Sequence, residues 1–338
     1  MKKHETISAT GELALIRRLT RALPLRGGVL VGPGDDCAVV KGAASGRYDY
    51  LLTSDASVEG AHFTPQTAGM LVGRKALGRA LSDIAAMGGE PLWVLVDLTA
   101  PATVSIKRIE RIYAGLRKMA RQFKVSIVGG DVSSGSDLQL HVFAAGRAAK
   151  KRAILRSGAK AGEALFVTGA LGGSFAGKHL AFQPRLREGR WLAAGKWATA
   201  MIDISDGLLR DLGHIMRASG IGVLLKLEAI PISPAARRRL AGRRRALGRA
   251  LTDGEDYELL FTVPEKKKDA FRRAWRRKFR LACVQIGRTT RRAGLLEGLD
   301  AAGKRIQLQE NGFEHFVGQR APENPGQTTR SGKRGLRG

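Results

Sequence analysis

Short apolar runs of strand length alternate along this chain with longer stretches whose apolar residues recur every three or four positions. Leu13, Ile16, Leu19 and Leu23 space a first amphipathic helix, closed by Pro24 and Gly27-Gly28. Short strands are predicted at Val29–Val31, Cys37–Val40 and Tyr48–Thr53, followed by a loop, Gly60–Gly69, that carries His62. Val72–Met87 reads as a helix rich in small residues, ended by Gly88-Gly89 and Pro91. Strand Leu92–Leu98, helix Val104–Phe123, a buried-type strand at Val125–Val128 and an alternating strand at Leu138–Ala145 follow. After a rise in charge and glycine over Lys150–Gly162, the pattern resumes with strand Ala164–Thr168 and a glycine loop, Gly169–Gly177. Strand Ala200–Ile204, helix Leu208–Ala218, strand Gly222–Leu227, an acidic turn feeding a strand in LTDGEDYELLFTV, helix Glu265–Phe279 and strand Leu281–Ile286 complete it. A short final element is expected at Asn311–Val317. The pattern divides into domains at 1–150 and 151–318, with a Pro-, Gly- and Arg-rich tail, 319–338, that reads as disordered.

Aspartates punctuate the ends of these runs. Asp35 and Asp36 follow a Gly-Pro-Gly turn in GPGDDCAVV, whose glycines and proline hold a fixed shape while the acids project. Asp55 closes the run LLTSD, Asp131 follows Gly129-Gly130, and Asp203 and Asp206 stand in AMIDISDG. At 100° per residue Val72, Ala76, Ala80, Ile84 and Met87 form one stripe, and Asp83 falls inside it. A carboxylate on an apolar face must be paired, hydrogen-bonded or bound to metal. Converging carboxylates are what a hard cation such as Mg²⁺ requires.

Composition narrows the function class. Across 338 residues, 43% hydrophobic content and 43 glycines fit a globular α/β-type chain. No apolar run reaches membrane-spanning length, and the opening MKKHETISATGELALIRRL lacks the continuous apolar core of a secretory signal, so a cytoplasmic setting is expected. Cys37 and Cys283 give neither a disulfide framework nor a zinc spacing. The formal charge of +28 raises nucleic acid as a partner. The basic runs lack the interleaved aromatics of a single-strand platform, however, and read as solvated helix faces.

Three chemical motifs are incomplete or absent. Gly172–His179, GGSFAGKH, follows a strand and matches a phosphate-binding loop, except that His179 replaces the terminal Ser or Thr that would hold magnesium. Neither a nucleophile elbow nor a zinc-protease helix motif is present. Many aspartates, glycine loops and no acid–base dyad point to phosphoryl transfer from ATP, which asks for positioning and charge neutralisation. A phosphate monoester acceptor, already anionic at neutral pH, needs no general base.

The stretches GPGDDCAVV, LLTSDASVEGAHF, LSDIAAMGGEP, VGGDVSSG, LRSGAKAGE, VTGALGGSFAG, AMIDISDGLLRDLGHI and TDGEDYELLFTVP resemble, in order, those of the thiamine-monophosphate kinase family, within the aminoimidazole ribonucleotide synthetase and selenophosphate synthetase superfamily. The resemblance implies an α+β fold, and ATP-dependent phosphorylation of thiamine monophosphate to thiamine diphosphate. The N-terminal domain would bind ATP and Mg²⁺ and form a homodimer through its sheet. Asp36, Thr53, Ser54, Asp55, Asp83, Asp131, Asp203 and Asp206 fall at the family's metal positions. Tyr113, Gly130, Asp131, Arg156 and Ser205 fall where it contacts ATP, and His62, Glu255 and Phe313 where it contacts the thiamine part. Asp253 stands where the family usually has Gly, and position 313 is Phe, without the hydrogen bond of a Tyr or Trp.

Overall fold

The computed structural model describes residues 7–238, 242–310 and 312. An N-terminal segment, up to Pro24, carries two short helices, α1 (Ile7–Thr10) and α2 (Glu12–Thr20). The body begins at Leu25 and is α+β, built on two mixed sheets.

The first sheet comprises β1 (Val29–Val31), β2 (Ala38–Val40), β3 (Tyr48–Val58), β4 (Glu90–Ala100), β5 (Ser126–Gly129), β6 (Val132–Ser134) and β7 (Gln139–Ala149). Its order is β1-β2-β3-β7-β4-β5, with β6 also on β4. Helices α3 (Gly69–Ala86) and α4 (Ile106–Phe123) cover one face. Period-two alternation sets the faces: Val94, Val96 and Leu98 are buried, while Trp93 and Leu95 at the alternate positions are exposed. Phe143, opposite Leu95 in the β4–β7 register, is exposed on that outer face with Val128 and Val132.

Helix α4 is amphipathic. Ser105 caps it by accepting from the Arg108 N–H, and Lys124 ends it in the left-handed conformation. Glycines let α3 lie against it closely: a Cβ on Gly73 would sit 1.9 Å from the Ile112 carbonyl oxygen, and one on Gly115 2.1 Å from that of Met70. The core between helices and sheet joins Leu51, Val72, Leu77, Leu81, Ile84, Met119, Leu140 and Val142.

The second sheet runs β14-β13-β10-β12-β8-β11-β9. Its strands are β8 (Ala164–Thr168), β9 (Met201–Asp203), β10 (Gly222–Lys226), β11 (Leu259–Val263), β12 (Cys283–Thr290), β13 (Leu296–Leu299) and β14 (Arg305–Gln307). The accompanying helices are α5 (Lys178–Ala181), α6 (Leu186–Ala194), α7 (Leu208–Ser219), α8 (Pro234–Arg238), α9 (Arg243–Thr252) and α10 (Lys268–Lys278). Both faces are covered, so β8 and β11 are buried throughout. Leu165, Val167 and Leu260 enter an aliphatic core with Leu212 and Ile215 of α7. Phe166 and Phe261 enter an aromatic one with Phe271 and Trp275 of α10.

Several expectations are corrected. β3 does not end at Thr53 but runs through Asp55 to Val58, paired throughout with β7. The strand expected to be buried at Val125–Val128 is β5, largely exposed because its apolar side belongs to the uncovered face of the sheet. Helix α6 and strands β6, β13 and β14 went unforeseen, being short or polar on one side. The expected final element, Phe313 and the tail lie outside the described residues, and among these no helix is long and apolar enough to cross a membrane.

Candidate functional site

Three carboxylates from three distant stretches meet where the sheets adjoin. Asp36 follows the Gly-Pro-Gly turn, Asp83 lies in the last turn of α3, and Asp203 ends β9; each offers an oxygen within 4.8 Å of the other two. Each is held. Thr53 of β3 donates its hydroxyl to Asp83 Oδ2 at 2.6 Å, Ser82 donates to Asp203 Oδ2 at 2.5 Å, and the Arg156 guanidinium donates to Asp36 Oδ1 at 2.7 Å. The backbone N–H of Arg156 donates to Asp35, which tethers the first acidic turn to the chain leading into the second sheet.

The electrostatics are those of a site built for a cation. Burial, then the charge of Asp36, pushes Asp203 up to about 7. Burial, then the charges of Asp55, Asp203 and Asp36, raises Asp83 well above the carboxylate range. Burial likewise raises Asp36, although Arg156 opposes it. Asp36 Oδ2 is buried with no hydrogen-bond partner. Left without a counter-charge, such a cluster takes up protons, whereas a hard cation satisfies its oxygens and lets it ionise. The residues therefore fit a divalent metal.

A second group follows, where Asp206 of the turn before α7 and Asp211 and His214 of that helix bring ligand atoms together within 4.8 Å. Asp211 is 2% exposed and accepts from the backbone N–H groups of Asp206 and Gly207, fixing the turn after β9. Asp211 and His214 are three apart on one helix face, a signal the DISDG reading did not follow past Asp206.

The remaining expected metal positions are placed differently. Asp55 extends from β3 on the same face as Thr53 and pairs with Arg79 at 2.8 Å, and its charge is among those raising Asp83. Ser54 points to the opposite, exposed face. Asp131 is exposed between β5 and β6, outside both carboxylate groups, with its N–H donating to Asp97 Oδ1 at 2.9 Å. Burial, then the charge of Asp97, raises the Tyr113 phenol of α4. Gly130 has φ 151°, and a Cβ there would meet the Val96 carbonyl oxygen at 1.9 Å, so only glycine passes. Arg156 stands instead at Asp36, and the Ser205 carbonyl accepts from the Glu255 N–H.

Beyond the triad lies a cluster that the sequence reading missed in part. Lys75, Arg79 and Asp83 follow one another at four-residue intervals on α3. Lys75 is 0% exposed; its Nζ donates to the His62 carbonyl at 2.5 Å, lies 3.0 Å from His179 Nδ1 and forms an ion pair with Glu255. Arg79 lies 3.9 Å from the other oxygen of Glu255. Burial alone would raise Glu255, but the His179 contact and the Lys75 and Arg79 charges outweigh it and hold the carboxyl at about 2. His62 is buried, with Nδ1 accepting from the Val58 N–H.

The turn after α9 explains the glycine loop. Asp256 accepts from the Gly172 N–H and the Ser174 hydroxyl, and Asp253 accepts from the Gly173 N–H at 2.8 Å. Lys178 is drawn to Asp256 and Glu258, and Glu258 also takes a bidentate pair from Arg185. The amides that would cradle phosphate in a phosphate-binding loop are thus occupied by the protein's own acids, and that reading ends here. Tyr257 stacks on Phe182 at 3.8 Å between centroids.

Comparison with known proteins supplies the family context. The chain matches the family model of the AIR synthase related protein, N-terminal domain, over residues 34–148, and that of the C-terminal domain over 134–296. It is 36% identical over 313 residues to the thiamine-monophosphate kinase of Rhodopirellula baltica, covering 90% of this chain and 96% of that protein. With the thiamine-monophosphate kinase of Haemophilus influenzae it shares 33% identity over 331 residues, 91% of this chain and 98% of that one. Its structure is similar to that of AaThiL complexed with AMPPCP and TMP, with TM-score 0.78 and 28% identity over 93% of this chain and 100% of the other.

Proposed function

The chain belongs to the thiamine-monophosphate kinase family, and we propose that it transfers the γ-phosphoryl group of ATP to the phosphate of thiamine monophosphate. The products are thiamine diphosphate and ADP. The observation that carries the site assignment is the triad Asp36–Asp83–Asp203, two of its acids buried and one half-buried, with its unpartnered Asp36 oxygen. An oxygen of the acceptor phosphate forms the new bond to the γ-phosphorus while the bond from that phosphorus to the ADP oxygen breaks. No proton has to leave the acceptor, so the step needs no general base.

Asp36, Asp83 and Asp203, with Asp206 and Asp211 beside them, would hold Mg²⁺, and Asp55 and the hydroxyl of Thr53 stand within reach of Asp83. Bound there, Mg²⁺ supplies charge neutralisation for the two phosphate chains. Arg156, free to rotate from Asp36 once a cation neutralises it, is suited to the ATP phosphates, and Tyr113, Gly130 and Asp131 to the rest of the nucleotide. His62 and Glu255 face the thiamine part, a role that the family resemblance also gives to Phe313. The two sheets form two domains dividing near residue 150. The exposed face of Trp93, Leu95, Val128, Val132 and Phe143 pairs with the same face of a second copy. A soluble dimer of this kind suits the cytoplasm.

The test is direct. Purified protein with thiamine monophosphate, ATP and Mg²⁺ is followed for thiamine diphosphate by chromatography. Product that disappears with EDTA supports the reading; a folded, ATP-binding protein that makes none overturns the substrate.

A further inference from the structure

Lys75 is the most deeply buried cation of the described body, and its contacts come from three separate segments. The His62 carbonyl belongs to the turn after β3, His179 to α5 beyond the glycine loop, and Glu255 to the turn between α9 and β11. Its ammonium donates to the His62 carbonyl and pairs with the Glu255 carboxylate, and His179 Nδ1, 3.0 Å away, closes the third side. Burying such a charge is costly unless it is fully paired, so the cluster holds together as a unit or not at all. Glu255 adds a second constraint. Its backbone has φ 65°, a left-handed conformation uncommon for a side-chain-bearing residue, and Tyr257 two residues on has φ 51°. The turn that presents Glu255 is therefore strained, and the Lys75 ion pair, supported by Arg79, holds its side chain in place.

We propose that Lys75 is a positioning residue for the acceptor: it joins His62 and Glu255 into one rigid wall and thereby sets recognition of the thiamine part. The inference rests on the substrate reading above and adds to it a residue that touches neither nucleotide nor metal ligand. The wall draws His62 from the first sheet's loops and Glu255 and His179 from the second's, so Lys75 ties the acceptor end of the site across both.

The experiment compares wild type, K75M, E255Q and K75M/E255Q at saturating Mg²⁺. It measures KM for thiamine monophosphate, KM for ATP and kcat, with AMPPCP affinity by calorimetry as the check on folding. The expected result for K75M is a KM for thiamine monophosphate raised about 10- to 100-fold, with AMPPCP affinity and KM for ATP within about threefold of wild type. K75M/E255Q is expected to be no worse than the more damaged single variant, because Lys75 acts through Glu255. If K75M does not fold, K75R keeps the cation but moves its donors, and must show the same selective rise. Equal changes in both KM values, a loss confined to kcat, or additive effects in the double variant overturn the role of Lys75 while leaving the substrate reading intact. Absence of wild-type turnover with thiamine monophosphate overturns the substrate reading, and the role with it.

Discussion

Asp203→Asn should make the metal-free protein more stable and catalytically poor at the same time. Asp203 is 3% exposed, and burial with the nearby Asp36 charge lifts it from 3.8 to about 7. A carboxylate with a raised folded pKa favours the folded state fully below its unfolded value, and that contribution is lost as pH rises through the folded one. At pH 8 the ionised group therefore costs up to about 4 kcal/mol, from a rise of about three pH units at 1.36 kcal/mol each. At pH 5 the cost falls to about 2 kcal/mol. Asparagine removes the charge and still accepts from Ser82, so D203N recovers most of this. Urea denaturation in EDTA at pH 5 and pH 8 measures it, and thermal unfolding at pH 8 should show a Tm gain of several degrees. Adding Mg²⁺ should stabilise wild type more than D203N. A variant no more stable than wild type at pH 8, or equally stabilised at both pH values, refutes the electrostatic account of the triad.

Asp83→Asn should lower turnover at least 100-fold without destabilising the metal-free protein, since burial and the neighbouring acids raise Asp83 as they do Asp203, and Mn²⁺ binding counted by electron paramagnetic resonance should fall with it; full binding would remove Asp83 from the ligands. Gly73→Ala forces a Cβ to 1.9 Å from the Ile112 carbonyl oxygen, so α3 and α4 must separate. It should cost about 1–3 kcal/mol or more by urea denaturation, and a neutral variant would contradict the close packing. Leu95→Asp places a charge in the exposed apolar face of the first sheet. The proposed dimer should then sediment as a monomer, whereas dimerisation unaffected by the charge would move the interface elsewhere.

How far the chain could be read without coordinates depends on what each residue reports locally. The β8 boundaries matched because a run buried on both sides has no polar position to blur its ends. The β3 end did not, because Ser54, Asp55 and Ser57 look like loop residues, and only the β7 partner shows that the strand continues through them. Asp83 stood out as an acid within an apolar stripe, and it does belong to the triad. Lys75 and Arg79 went unnoticed on the same helix, since basic residues between apolar ones usually report a solvated side. Their four-residue spacing toward Asp83 was the available signal. No local pattern shows that Asp253 and Asp256 cap the amides of the glycine loop across about 80 residues of chain, so that loop looked open to phosphate.

Helix α3 also works as a gauge. Its glycine contacts with α4 prevent it from sliding or turning without a clash, and it bears Lys75 at the acceptor end and Asp83 at the reacting end. Eight residues of helix separate them by about 12 Å. A molecule anchored beside Lys75 must extend that far to bring its reactive oxygen to the acids. The helix thereby fixes the span between the two ends of the site, and any shift of α3 along α4 would displace both together.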